Sequence, residues 1–73
     1  MEQSLIDEYV RLRPEETTEM NLERRRVFFL VLKQSGNVDE ATTMANININ
    51  IKYLKCTYPP HLTEQLSRYT SAQ

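Results

Sequence analysis

The chain of 73 residues is expected to fold as one small all-α domain, and three features of the sequence indicate this class. Apolar residues recur at helical spacing near both ends of the chain. Good helix formers lead into a strongly apolar segment at residues 22–35. A Gly-Asn pair at residues 36–37 then supplies the residue types that end one helix and begin another. So short a chain buries only about 60% of its unfolded surface, so we expect no large substrate cavity.

Residues 4–12 are predicted to form a short N-terminal amphipathic helix, with Ser4 as the N-cap and Asp7 three residues later. Pro14 ends this helix because it disfavours helical angles at the residue before it. The predicted apolar stripe, widened by Ile6 and Val10, is Leu5, Tyr9 and Leu12. This stripe is buried either on the domain's own core or on a partner.

Residues 14–21 are polar, and two interpretations stay open. They form a linker, or they are the first turns of the next helix with Pro14 at its first position. We favour a linker or a frayed helix start, with Asn21 or Thr18 as the cap. Residues 1–21 are therefore assigned to the amphipathic helix and its linker.

Residues 22–35 are the most apolar part of the chain, with six consecutive apolar residues at 27–32. Periodicity alone does not distinguish a buried strand from a buried helix there. Helix formers at residues 23–26 and Gly36 behind the segment favour a helix. Because apolar side chains at residues 27–32 would occupy every side of a helix, we expect a central helix with neighbours on several sides.

The Gly-Asn pair is the sharpest local signal. Gly36 can adopt the left-handed angles that end a helix, and Asn37 can cap the next one. Glu40 lies three residues after Asn37, where its side chain can bond back to the cap. A short second helix is therefore predicted at residues 38–45.

The alternating Asn and Ile residues at 46–51 are ambiguous. Strict alternation is typical of a strand, whereas the spacing of the apolar residues also fits one face of a helix. We interpret residues 46–48 as a turn and residues 49–56 as a third short helix. Residues 57–73 are expected to hold a last short helix at 62–69 and a loose tail from residue 70.

Residues 35–55 resemble a helix-turn-helix. Their opening, Gly36-Asn37-Val38 followed by Ala41, is similar to the G-N-x-x-x-A start of Fis-type DNA-binding domains and phage terminase small subunits. The resemblance implies a helix-turn-helix-like core at residues 22–56, with Ala41 where the two short helices cross.

The same resemblance assigns roles within the last helix of the core. Ile47 would close the turn, and Ile51 and Leu54 would anchor the helix on the core. The polar residues left outward, which could bind nucleic acid or a protein partner, are Asn48, Asn50, Lys52 and Lys55.

Three consecutive arginines, Arg24, Arg25 and Arg26, could bind phosphates or an acidic protein surface. Successive helical positions point about 100° apart, so they cannot form one flat patch. The simpler interpretation is a solvated start of the helix.

The distribution of charge favours a protein target over DNA. The net charge is -1, with a balance of -4 at residues 1–19 and +3 at residues 20–55. Domains that hold DNA are usually clearly basic. The N-terminal segment also has the aromatic and arginine content enriched at protein interfaces. Its candidate partner-binding residues are Leu5, Tyr9, Arg11 and Arg13.

Catalysis, a cofactor, a metal ion and a small-molecule substrate are not expected. The chain has no nucleophile motif and no Gly-rich phosphate loop. His61 has no neighbours at ligand spacing, and the lone Cys56, expected to be half-buried, fits a reducing compartment. No apolar run is long enough to span a membrane, and the start (Met-Glu-Gln) lacks an export signal. We expect a cytoplasmic protein.

Two functions follow as expectations. The first is a small transcription regulator that acts mainly by protein contact. In length and composition the chain is similar to phage-encoded proteins that bind the host RNA polymerase and block a surface needed for initiation, in the host bacterial cytoplasm. The alternative is a sequence-specific DNA-binding protein, either a repressor or a terminase-type packaging subunit.

Overall fold

The computed structural model describes residues 2–71, and in that range the fold consists of four helices. They are α1 (Glu2–Val10), α2 (Thr18–Ser35), α3 (Val38–Leu54) and α4 (Pro60–Ser71). The predicted all-α class is confirmed. Residues 27–32 and residues 46–51, the two segments for which a strand was an alternative, are both helical.

The N-terminal helix lies two residues earlier than predicted and ends at Val10. Tyr9 belongs to the core, and Ile6 and Val10 pack against it, whereas Leu5 and Leu12 are exposed. Of the predicted stripe, only Tyr9 is buried on the domain's own core, and this alternative is wrong for Leu5 and Leu12. Leu12 lies beyond the last helical turn, so helical spacing does not apply to it.

Residues 11–17 form a linker, and the N-cap of α2 is Thr17 rather than Thr18 or Asn21. The Thr17 hydroxyl accepts a hydrogen bond of 3.1 Å from the Met20 amide. Asn21 is buried and instead holds the linker, because its Oδ1 accepts from the Arg13 amide at 3.2 Å. Its Nδ2 donates to the Thr17 carbonyl at 3.2 Å.

The corner between α2 and α3 is confirmed. Gly36 has the left-handed angle φ 66° and donates its amide to the Leu32 carbonyl at 2.8 Å. Asn37 caps α3, since its Oδ1 accepts from the Glu40 amide at 2.9 Å. The Glu40 side chain does not complete a capping box: its carboxylate accepts hydrogen bonds from Gln65 and Tyr69 of α4.

A single 17-residue helix, α3, replaces the predicted sequence of short helix, turn and short helix. The turn predicted at residues 46–48 is wrong, because this segment contains no Gly or Pro to interrupt the helix. On a helix, the alternating Ile47 and Ile49 point to opposite sides, about 200° apart. Both are buried, which is possible because α3 packs against all three other helices.

The C-terminus of α3 is formed by a lysine rather than a glycine. Lys55 adopts φ 60°, and the Cys56 amide after it donates to the Asn50 carbonyl at 3.0 Å. Cys56 is a free, exposed cysteine, so the prediction of a half-buried residue is wrong. Leu54, predicted to anchor the helix, is 60% exposed, whereas Ile51 is half-buried against the core.

The last helix, α4, begins at Pro60, where a proline is well tolerated because the amide it lacks would have no helical partner. The helix is longer than the predicted 62–69. Thr70 and Ser71, predicted to begin the loose tail, are helical, and Ala72 and Gln73 lie outside the described residues. Leu66 is buried.

The core lies mainly between α2 and α3, which form the largest helix–helix contact. Its fully buried larger side chains are Phe28, Met44, Ile49, Val27 and Val31. None of the described helices combines the length and the hydrophobicity that crossing a bilayer requires.

Ala41→Leu should unfold or strongly destabilise the domain. Ala41 has no exposed surface and belongs to the core, so three added carbon atoms have no room. We expect a loss of about 1–3 kcal/mol or more in the free energy of unfolding. Thermal melts followed by circular dichroism measure it, and a melt equal to that of the parent would contradict this view of the core.

Candidate functional site

Arg24, one of the predicted binding residues, lies in the interior of the domain and is only 8% exposed. Its guanidinium donates to both carboxylate oxygens of Glu16 in the linker. It also donates to the Tyr9 hydroxyl at 3.0 Å and to the Asn46 side chain of α3. These four residues, Tyr9, Glu16, Arg24 and Asn46, are the Arg24 cluster, which joins α1, the linker, α2 and α3. A guanidinium held in this way is not available to a phosphate.

Tyr9, predicted to bind a partner, is likewise part of the interior. Its ring stacks on Phe28 with the centroids 4.6 Å apart, and its hydroxyl donates to Asn46 at 2.9 Å. The Arg13 guanidinium lies 4.9 Å from the centroid of the Tyr9 ring. Burial raises the pKa of Tyr9 above its usual value, although the hydrogen bond from Arg24 opposes this. The hydroxyl therefore remains a neutral donor.

Of the other residues of the predicted N-terminal patch, Leu5 and Arg13 line the same groove as Tyr9, whereas Arg11 does not. Leu5 and Arg11 are exposed. Arg13 is half-buried, and its guanidinium donates to the Tyr9 carbonyl at 3.1 Å. Leu5 lies at one edge of an open groove between α1 and α3. The residues lining this groove are Leu5, Glu8, Tyr9, Arg13, Val38, Asp39 and Thr42.

A second polar cluster surrounds Glu23 on α2. Its carboxylate accepts from Arg26 at 2.8 and 3.1 Å and from the Asn48 side chain at 3.0 Å. The Lys52 ammonium lies 3.5 Å away. Hydrogen bonds from Arg26 are the main cause that lowers the pKa of Glu23 to about 2; burial opposes them, and Asn48 and Lys52 add to the lowering. Three predicted binding residues, Arg26, Asn48 and Lys52, thus contact Glu23.

The four outward residues predicted on the last helix of the core do not form one face. Asn48 and Asn50 point to different sides of α3, and the Asn50 amide donates to the Tyr58 hydroxyl at 2.7 Å. Lys55 is exposed but lies at the C-terminus of the helix. The structure thus brings Asn48 and Lys52 together at Glu23 and leaves Asn50 on another side of α3.

The outward side of α2 was predicted only in part: Arg25 and Arg26 were candidate binding residues, whereas Leu22, Phe29 and Lys33 were not. Leu22 is 60% exposed and Phe29 is 44% exposed. Because Phe29 lies within residues 27–32, that segment is not buried on every side as predicted. Arg25, Arg26 and Lys33 are exposed on the same side. We call these five residues the α2 outer stripe. Its signal in the sequence is the spacing of residues 22, 25, 29 and 33, which fits one helical face.

The described residues contain no group of three or more His, Cys, Asp or Glu side chains placed to hold a metal ion. His61 and Cys56 are both exposed.

No protein-family model, no curated protein and no solved structure matches this chain.

Arg24→Met should destabilise the domain by about 3 kcal/mol or more. The substitution keeps much of the buried volume but leaves Glu16 as a carboxylate without its cation. Arg25→Met, one residue along and exposed, is the matched control and should change the free energy of unfolding by less than about 0.5 kcal/mol. Denaturant titrations measure both, and equal stabilities of the two variants would refute the structural role of Arg24.

Glu23→Gln should reduce stability at neutral pH and change its response to acid. Because folding lowers the Glu23 pKa from 4.5 to about 2, the ionised carboxylate stabilises the fold above pH 4.5. That contribution is lost as the pH falls from 4.5 towards 2. We expect a difference of about 1 kcal/mol from the parent at pH 7, after allowance for solvent screening, which shrinks at pH 2.5. A difference independent of pH would contradict the role of the Glu23 charge.

Proposed function

We propose that this chain is a small transcription regulator that acts by binding another protein. The observation that carries this proposal is the contrast between two sets of side chains. Arg24, Asn48 and Asn50 were expected to bind nucleic acid or a partner. Arg24 is buried, and the half-buried amides of Asn48 and Asn50 donate hydrogen bonds to Glu23 and Tyr58 within the domain. Leu22 and Phe29 instead expose apolar surface beside cations. Exposed apolar side chains next to arginine are typical of surfaces that bind proteins.

The target that we propose is a bacterial RNA polymerase, with the bacterial cytoplasm as the place of action. The support for this target is the similarity in length and composition to phage-encoded polymerase-binding proteins. The mechanism would be competitive: the domain occupies a polymerase surface that the initiation factor also needs. It requires no catalytic group, and the regulator would inhibit in proportion to the fraction of polymerase that it occupies.

Sequence-specific DNA binding has less support. A helix that reads the major groove needs several free side chains on one protruding face. Asn48 and Lys52 face Glu23, and Asn50 bonds to Tyr58 on another side of α3. The net charge of -1 also gives little general attraction to DNA.

The tagged chain should retain purified bacterial RNA polymerase and reduce transcription from a promoter. Elongation from complexes that have already left the promoter should be unaffected, because the initiation factor is no longer required. Ala41→Leu, which should not fold, is the control for non-specific inhibition.

Binding of the chain to random-sequence duplex DNA at about 50 mM salt is measured in parallel. The proposal fails if the chain retains no polymerase subunit, or if it binds duplex DNA tightly with a steep dependence on salt.

A further inference from the structure

The α2 outer stripe combines apolar and cationic side chains on one exposed face. From Leu22 to Lys33 the stripe spans twelve residues, about 16 Å along the helix axis. Leu22 and Phe29 lie two turns apart, and Arg25 lies between them on the same face. The Phe29 ring is held in place by the buried Phe28, against which it packs edge-on with the ring centroids 5.2 Å apart.

The stripe carries three cations, Arg25, Arg26 and Lys33. Within residues 2–71, Arg25 and Lys33 take part in none of the salt bridges. Arg26 is bound to Glu23, but its side chain remains 48% exposed. Two acids of α2 lie near the start of the stripe. Glu23 accepts from Arg26, and the exposed Glu19, one turn before Leu22, accepts from the Tyr53 hydroxyl at 3.3 Å. The face therefore presents positive charge on both sides of Phe29.

We propose that the α2 outer stripe binds an acidic amphipathic helix of a partner protein. Apolar side chains of that helix would cover Leu22 and Phe29, and carboxylates flanking them would pair with Arg25 and Lys33. This inference rests on the proposed function as a protein-binding regulator, but it concerns the binding surface and not the identity of the target.

Charge and shape favour this occupant over the alternatives. In an antiparallel pair of α2 helices from two copies, Arg25 and Arg26 of both chains would meet near the two-fold axis and repel each other. A nucleic acid would be attracted to the cations, but Phe29 is the one ring of the stripe on which a base could stack, and the aliphatic Leu22 offers none.

The interface at the α2 outer stripe is expected to bury a small area. One helix face about 16 Å long covers less than the roughly 800 Å² per partner of a standard stable complex. We therefore expect weak, rapidly exchanging binding, for which chemical-shift titration is suited.

The test uses two synthetic 16-residue helices, each held helical by a hydrocarbon staple on its outer face. Both carry leucines two turns apart, flanked by glutamates in one peptide and by lysines in the other. Titration of the ¹⁵N-labelled full chain with the glutamate peptide should shift the amide signals of residues 22–33. The lysine peptide should bind at least about tenfold more weakly.

Charge reversal in the chain provides the second arm. The double variant Arg25→Glu, Lys33→Glu should weaken binding of the glutamate peptide at least about tenfold and leave the fold intact, because both side chains are exposed. Arg11→Glu, an exposed arginine on the linker, is the matched control and should bind as the parent does.

Four outcomes would overturn the inference: equal binding of the two peptides, an equal loss of binding with Arg11→Glu, shifts of the same residues by single-stranded oligonucleotide, or shifts on raising the chain's own concentration. The third outcome would indicate nucleic acid and the fourth self-association. None of these measurements uses polymerase. If the chain binds the glutamate peptide at this face but retains no polymerase, RNA polymerase is refuted as the target, and the α2 outer stripe is still supported as a binding surface.

Discussion

The ion pair between Arg24 and Glu16 is the interaction on which the arrangement of the chain depends. A buried guanidinium is tolerated only if its donors are satisfied, and Arg24 is satisfied by groups from three other parts of the chain. Asn21 holds the linker so that Glu16 reaches Arg24, and Tyr9 brings α1 to the same place. The N-terminal quarter is thus tied to the core by polar contacts as well as by the stacking of Tyr9 on Phe28.

The three consecutive arginines show why the number of basic residues does not by itself indicate a binding site. Neighbouring helical positions point about 100° apart, so each arginine has different surroundings. Arg24 points inward and neutralises Glu16, Arg26 pairs with Glu23, and Arg25 remains open to solvent. Of these three arginines, only Arg25 adds an unpaired positive charge to the surface. The arginine run therefore supports phosphate binding less well than it supports contact with a protein.

The continuous α3 helix depends on partners for its asparagines. Asparagine favours turns because its side chain competes with helical hydrogen bonds. In this helix each of three asparagines is engaged elsewhere: Asn46 with Arg24, Asn48 with Glu23 and Asn50 with Tyr58. The repeated Ile residues add burial on both sides of the axis. Turn propensity at residues 46–48 is therefore outweighed by contacts with distant parts of the chain.

The amino-acid sequence by itself determined the all-α class, the corner at Gly36-Asn37 and the helix over residues 22–35. These depend on neighbours within about four residues, such as the Asn37 cap on Glu40. Only the tertiary structure decided that α3 is unbroken, that Arg24 and Tyr9 are interior, and that Phe29 is exposed. Their surroundings come from side chains far away in the sequence, such as Asn46 beside Tyr9 and Arg24, which local patterns do not specify.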